Sequence, residues 1–373
     1  MPIGSGVETL RTLPNVPFTI DPAAFAQGTT EQNGPLNPIP APGAGQTVRY
    51  QLPDEGVVSE LEIVFDGTLT VTAAASGQTQ PVAGDTWPYG LLSQFTLTAN
   101  GISHDLWSVD GVDLYTRQFV NHLGQTSNSD VFPGAVGGGG SAIAAGSYAL
   151  HLSWTVDIAT DPAALVAALY AQSSQTLLGG QLGQASESDL VAPGGTAALW
   201  AISGTFYIQE KAWEIPIGQK GELILPDITK LHMVVAVERP WTNTGDVEVE
   251  LLRTNGQLMR LFTSGYSADN VPLSALPGTA DANKIDKFKV RYGMKNTPID
   301  YDPASVLAGI NAKNYRGPVP YDRLVVDNML YNPARDMWLL QGVTNLRADV
   351  YVDSAVAPTV GEASVRVVEE LLV

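Results

Sequence analysis

The sequence predicts an all-β protein built as two antiparallel, eight-stranded sandwiches in tandem, each with a short helix insertion that starts at an Asp-Pro pair. Three observations predict it. DPAALVAALYA at 161–171 and DPASVLAGINA at 302–312 write nearly the same helix start twice. Short stretches of period-two alternation recur from Gln46 to residue 353. Each half also keeps one order: strands, an Asn-Gly hairpin, a strand, the Asp-Pro helix, then further strands. The chain has 373 residues, beyond the roughly 250–300 at which a single core stops growing. Roughly 140–160 residues per copy suits an eight-stranded sandwich with long loops.

Residues 1–45 are rich in Pro, Gly, Ala, Asn and Gln and end in PLNPIPAPGAG. They hold too little apolar surface for a core, which predicts an extended arm ordered against the body or a neighbour. The first sandwich is expected over 46–215. There Leu61, Ile63 and Phe65 alternate with Glu60, Glu62 and Val64, the pattern of a half-buried strand. LTVT at 69–72 continues it, and Phe95, Leu97 and Ala99 repeat it before Asn100-Gly101, a strong hairpin signal. Residues 110–123 read as a short helix with Asp110 as its cap. YALHLSWTVDI (148–158) reads as a strand. Asp161 can then accept bonds from the open amides of a first helical turn, and Pro162 suits a position that needs no amide partner; this helix is expected to run to about Gln172. TAALWAISGTFYIQEKAWEI (196–215) returns to strand.

The second sandwich is expected over 216–353, with a linker at about 216–226. Val247, Val249 and Leu251 alternate with acids, and Asn255-Gly256 closes a predicted hairpin. KFKVRYGMKNTPI (287–299) is a strand run, and Asp302 and Pro303 start the second helix. RLVVDNMLYNPARDMWLLQ (323–341) reads as a hairpin around Asn332-Pro333, and LRADVYVDS (346–354) as a strand. Residues 354–373 are assigned to a C-terminal tail, either an extended clasp onto a neighbour or a last strand.

Composition narrows the function classes. There are 20 Lys+Arg against 38 Asp+Glu, a net charge of −18, which opposes broad contact with phosphate backbones. With no cysteine there is no disulfide, thiolate nucleophile or zinc–thiolate site. The first residues lack the basic start and apolar stretch of a secretory signal, and no apolar run reaches the length of a membrane-spanning helix. His104, His122, His151 and His232 show no HxH or HxxxH spacing, so no zinc site is predicted. The four glycines at 137–140 lack the spacing of a phosphate loop, and no GxSxG elbow occurs. Asp300 and Asp302 form a DxD without the glycine of a calcium loop. Glu248 and Glu250 share a strand face and are the one candidate acid–base pair, with a solvated face as the plainer reading. Trp87, Trp107, Trp154, Trp200, Trp213, Trp241 and Trp338 are scattered as core or interface anchors would be. Catalytic, cofactor and metal residues are therefore expected to be none.

GTFYIQEKAWEIPIGQKGELILPDITKL (204–231) resembles the segment that joins the two barrels of tectivirus-type double jelly-roll major capsid proteins. The turn is Pro216-Ile217-Gly218-Gln219-Lys220-Gly221, and Ile224-Leu225-Pro226 starts the following strand. The strand–Asp-Pro–helix units resemble that family's helix-bearing insertions, and 321–352 resembles its last strands. The layout covers most of 46–353, while the sequence itself is close only over 204–231. The family's N-terminal segment can be a longer helix facing an internal membrane; here the arm is Pro-rich with a single arginine, Arg11. The resemblance implies jelly-roll sandwiches, a homotrimer forming pseudo-hexagonal capsomers, and an icosahedral virion shell around an internal membrane. It also implies synthesis in the host cytoplasm, contacts with penton, minor capsid and membrane components, and no direct contact with nucleic acid. Pro216, Gly218, Gln219 and Gly221 are the expected inter-domain turn. Two other classes stay open: a carbohydrate-binding or carbohydrate-active β-sandwich, and a cell-surface lattice protein.

Overall fold

The structure is a computed structural model that describes residues 14, 16–34, 37–53, 56–99, 105–124, 140, 142–161, 163–171, 178–251, 256–267, 272–273, 275, 283–293, 296–330, 337–341, 343–354 and 363–373. In chain order its first half contains β1 (Phe18–Ile20), α1 (Pro22–Gly28), β2 (Glu31–Asn33), β3 (Asn37–Pro40), β4 (Thr47–Gln51), β5 (Val57–Val71), β6 (Leu92–Ala99), β7 (Trp107–Val109) and α2 (Gly111–Asn121). β8 (Gly146–Asp157), β9 (Leu169–Tyr170), β10 (Leu178–Gln184), α3 (Glu187–Leu190) and β11 (Trp200–Trp213) complete it. The second half contains β12 (Leu223–Leu225), β13 (His232–Pro240), β14 (Gly245–Glu250), β15 (Gln257–Tyr266), β16 (Asn283–Tyr292), β17 (Asn296–Tyr301) and α4 (Ser305–Asn314). β18 (Leu324–Asp327), β19 (Trp338–Leu339), β20 (Arg347–Ser354) and β21 (Ser364–Leu372) close the chain.

The two halves share one topology. In the first, β2 and β3 lie beside β11, then β5 and β8; the other sheet runs β4-β10-β6-β7. In the second, the corresponding orders are β13-β21-β15-β18 and β14-β20-β16-β17. In each half the first strand lies beside the eighth, the eighth beside the third and the third beside the sixth, with the second, seventh, fourth and fifth in the facing sheet. That is the jelly roll, and it occurs twice. The sixth strand follows the helix in both halves, so α2 and α4 are equivalent. β7 pairs parallel with β13 through Trp107–Val234 and Ser108–Val235, which fuses one sheet of each roll into a continuous sheet.

Alternation builds the core as the sequence predicts. Along β5, Leu61, Ile63, Phe65 and Leu69 are fully buried while Glu60, Glu62 and Val64 stay half-exposed. Phe65 meets Phe206 with ring centroids 4.9 Å apart, and Trp87 meets Trp200 edge-on at 5.0 Å. The buried apolar side chains of both rolls form one contiguous cluster. α2 is capped by Asp110, whose carboxylate accepts from the Asp113 amide at 2.7 Å while Asp113 returns a bond to the Asp110 amide at 3.1 Å.

Several expectations are corrected. Asp161 starts no helix. Its carboxylate does accept from the Ala163 and Ala164 amides, at 2.9 and 3.2 Å, and Leu165 N–H closes one turn onto its carbonyl. Leu165 and Ala167 then take φ of +52° and +64° and the chain reverses. Leu165 and Ala168 pack with Phe25, Leu225 and Ile228 in a separate small cluster, and Ala167 N–H donates to Asp227 C=O at 2.9 Å, a bond to another segment in place of a helical one. Pro162 and Gln172 lie outside the described residues.

The second helix exists, but Asp302 is not its cap. Ala304 holds that position without a side-chain bond, and the Asp302 carboxylate accepts from Lys287 Nζ at 2.7 Å. Pro303 serves α4 only through its carbonyl, which accepts from Val306 N–H at 3.1 Å. Residues 31–33 and 37–40, assigned to the arm, pair with β11 as the first strand of the first roll. Of the two readings left open for the tail, the last strand holds: residues 364–372 run between β13 and β15 as the eighth strand of the second roll. The run 287–299 holds parts of two strands, since β16 pairs antiparallel with β17. Around Gly256 the chain crosses between sheets, since β14 pairs with β20 and β15 with β21. β18 and β19 both lie along β15 and do not form a hairpin with each other. Asn100-Gly101, Asn255, Gly137–Gly139, Asn332-Pro333 and Arg11 lie outside the described residues.

Both helices end alike. Gly124 N–H donates to Phe119 C=O and Gly317 N–H to Ala312 C=O, each at 2.9 Å, after Leu123 and Arg316 at φ +50° and +60°. Only Gly124 is itself left-handed, at φ +81°, and a Cβ there would run into the Tyr315 carbonyl oxygen, whereas Gly317 has open space. Gly124→Ala should therefore cost at least about 2 kcal/mol, and Gly317→Ala less than about 0.5 kcal/mol, in denaturant unfolding.

Candidate functional site at the seam

Where the two rolls meet, α2 lies against the second roll through one stripe of charged and polar side chains. Its first turn brings Asp113 to Arg366 of β21, with Nη2 to Oδ2 at 2.6 Å and Nε to Oδ2 at 3.1 Å. Arg323, just before β18, donates to the other oxygen of Asp113. One turn on, Arg117 reaches two carboxylates. Its Nε and Nη2 donate to Glu370 Oε1 at 3.0 Å, and its Nη1 donates to Asp157 Oδ2 at 2.8 Å. The guanidinium lies 4.9 Å from the centre of the Trp107 ring. A turn later Asn121 accepts from Arg260 Nη1 at 2.8 Å.

Glu370 is the centre of this cluster and has no exposed surface. Besides Arg117 it meets His232 Nε2 at 3.0 Å and Arg260 Nη1 at 3.2 Å. The other ring nitrogen of His232 faces the Asp157 and Ile158 carbonyls at 2.9 and 3.1 Å, and the ring packs edge-on to Trp107 at 5.2 Å. Arg260 also pairs with Asp327 at 3.1 Å.

Burial alone would push the Glu370 carboxyl up, but Arg117 and Arg260 outweigh it and hold it well below the usual carboxylate range. Asp113 behaves the same way: burial opposes ionisation, and Arg366 and Arg323 overcome it. Asp110 goes the other way, raised first by burial and then by the Asp113 charge. Buried arginines and carboxylates thus compensate one another, an arrangement suited to holding two bodies in one orientation.

The residues singled out from sequence lie elsewhere. Pro216, Gly218, Gln219 and Gly221 form a tight turn between β11 and β13. Gly218 N–H donates to Glu222 C=O at 2.8 Å and Gly221 N–H to Gly218 C=O at 3.0 Å, with Gly221 at φ +82°. Pro216 C=O accepts from Ile224 N–H at 2.9 Å, Gln219 is exposed, and β12 pairs parallel with β1. Asp161 and Asp302 sit at the turn and the lysine pair described above.

None of the sequence-level catalytic candidates converges on a reactive site. Asp300 pairs with Lys289 at 3.1 Å, and Glu248 takes Arg291 at 3.0 Å and Arg347 at 2.7 Å. His122 caps the end of α2, and His151 pairs with Asp66 at the surface; His104 lies outside the described residues. Trp241 Nε1 donates to Tyr266 C=O at 3.0 Å and Trp213 Nε1 to Ser59 Oγ at 2.9 Å. Among the described residues no three His, Cys, Asp or Glu side chains could hold a metal ion, and no helix is long and apolar enough to cross a membrane.

No family model matches the sequence, and no curated protein matches it. Solved structures do match. The major capsid protein of Sulfolobus Turreted Icosahedral Virus superposes over 92% of this chain and 96% of its own, with TM-score 0.63 and 17% identity. A chain of the atomic structure of that virus matches over 93% of this chain and 91% of its own, with TM-score 0.63 and 16% identity. A chain of the PBCV-1 virus capsid covers 92% and 93%, with TM-score 0.59 and 9% identity. The chain has the double jelly-roll fold.

Seam and surface carboxylates should separate in unfolding measurements. Glu370→Gln leaves buried arginines unpaired and should cost about 3–5 kcal/mol, against about 0–1 kcal/mol for Glu248→Gln at the surface. Because the folded pKa values of Glu370 and Asp113 are depressed, their contribution is complete above about pH 4.5 and is lost as pH falls through the folded values. Asp110, raised, opposes this in part. A urea midpoint followed against pH should fall on the acid side, and less steeply in Glu370→Gln.

Proposed function

We propose that this chain is a viral major capsid protein that forms homotrimeric, pseudo-hexagonal capsomers and, from them, an icosahedral shell around an internal membrane. The observation that carries the reading is the pair of jelly rolls with identical strand order fused through β7 and β13. The match over nine-tenths of the chain to proteins named as capsid proteins supports it. A fold shared at such identity supplies architecture, and function is argued from the site. The ion-compensated seam fixes two rolls as one rigid tile, and three tiles give six rolls around a threefold axis. The net charge of −18 suits a shell protein that makes no direct contact with nucleic acid. In this reading the protein is made in the host cytoplasm, resides in the virion, and meets penton, minor capsid and membrane components. Its work is assembly, without a cofactor.

Light scattering on the purified protein tests this. A particle of about 118 kDa, three times the 39.5 kDa chain, is expected, with hexagonal outlines in electron micrographs. A stable monomer that binds glycans saturably would replace this reading with that of a carbohydrate-binding sandwich.

A further inference from the structure

The two helices are equivalent, but their surroundings differ. α2 is buried along most of its length, whereas α4 leaves Val306 and Ile310 about half-exposed, at 50% and 40%, with Gly309 and Lys313 exposed beside them. The matching end turns set the register between the helices: Gly124 corresponds to Gly317 and Phe119 to Ala312. Gln118 then corresponds to Asn311, and each binds the strand that follows its helix, Gln118 through Thr155 at 3.0 Å and Asn311 through the Val325 backbone at 2.8 Å. In this register Asp113 corresponds to Val306 and Arg117 to Ile310. Asp113 and Arg117 are the residues through which α2 lies against β21 of the second roll. The exposed apolar pair of α4 thus stands where its twin carries the seam.

The chain also offers the complementary surface. In the second roll, α2 rests on the sheet β13-β21-β15-β18. The equivalent sheet of the first roll is formed by β11, β5 and β8, with β2 and β3 at its edge. The side of that sheet opposite Ile63 and Phe65 carries Val64 beside Tyr207, both half-exposed. Glu60 and Glu62 flank them on the same face, their carboxyls raised mainly by burial. Val64 and Tyr207 suit Val306 and Ile310, and Lys313 suits the two glutamates.

We infer that α4 is the docking surface for a second copy of this chain, seating Val306 and Ile310 on the Val64–Tyr207 face of that copy's first jelly roll. This rests on the trimer reading and specifies its contact. The contact repeats between chains the arrangement that α2 makes within one, with apolar side chains at the positions of the ion pairs. Because it is heterologous, each copy gives its α4 and receives another, and three such contacts close a ring.

The test uses the full chain. Val306→Asp with Ile310→Asp should leave the circular dichroism spectrum unchanged, since both side chains are half-exposed within the single chain and the fold of one copy does not depend on them. The particle mass should fall threefold, to about 39.5 kDa. A second measurement does not depend on that variant. The chain has no cysteine, so Ile310→Cys combined with Val64→Cys should give covalent oligomers on oxidation, and either cysteine alone should not. A trimeric double-aspartate variant together with no cross-link would overturn this contact and leave the trimer standing. Cross-linking by Ile310→Cys alone would place two α4 helices against each other and overturn it too. A monomeric wild-type protein would remove both readings.

Discussion

Glu370 has no exposed surface, and its carboxylate is ionised only because Arg117, Arg260 and His232 converge on it. An isolated carboxylate would shed its charge in such a place. Those three partners come from α2 in the first roll and from β15 and β13 in the second, so the charge is compensated only when the rolls stand in one relation. Asp113, held by Arg366 and Arg323, repeats the condition one turn earlier on α2. An apolar seam of equal volume would be about as stable. What the ionic seam adds is direction, because an arginine fork meets a carboxylate well only over a narrow range of angles.

That relation places the other elements. It brings the short β7 beside β13, where the parallel pairing of Trp107 and Ser108 with Val234 and Val235 extends one sheet across both rolls. It buries Trp107 beneath the Arg117 guanidinium and against His232. It also separates the two helix environments. α2, closed between the rolls, can hold buried charge because its partners are fixed within the same chain. α4, which meets no further roll among the described residues, leaves two aliphatic residues half-exposed, and a neighbour's surface is where such residues are stable.

Much of the sandwich could be read residue by residue. The alternation of Leu61, Ile63 and Phe65 with Glu60 and Glu62 set both the strand and its buried side, and Asp110 marked the start of α2. The last strand was harder to place, although VRVVEELLV holds a signal: two adjacent acids in an apolar run put one on each face of a strand, and both Glu369 and Glu370 are buried. Their neighbours in space lie far away in sequence, Arg117 and Glu370 being 253 positions apart. No local pattern encodes such a pairing. The Asp-Pro repeat misled for the reverse reason. Its local chemistry is sound, since Asp161 does bond the amides that follow, but the bond from Ala167 N–H to Asp227 and the packing of the reversed chain beside Phe25 outweigh the modest preference of a few residues for helix.

By itself the sequence determined the class of fold, the duplication, the existence of both interior helices at 111–121 and 305–314, and the absence of disulfide or thiolate chemistry, because these follow from composition and short-range periodicity. The tertiary structure alone decided that residues 31–33, 37–40 and 364–372 are integral strands, that the true repeat pairs α2 with α4, and that buried charge joins the rolls. Those outcomes depend on contacts between distant segments. Their free energy comes from desolvation and ion pairing that exist only once the chain has closed.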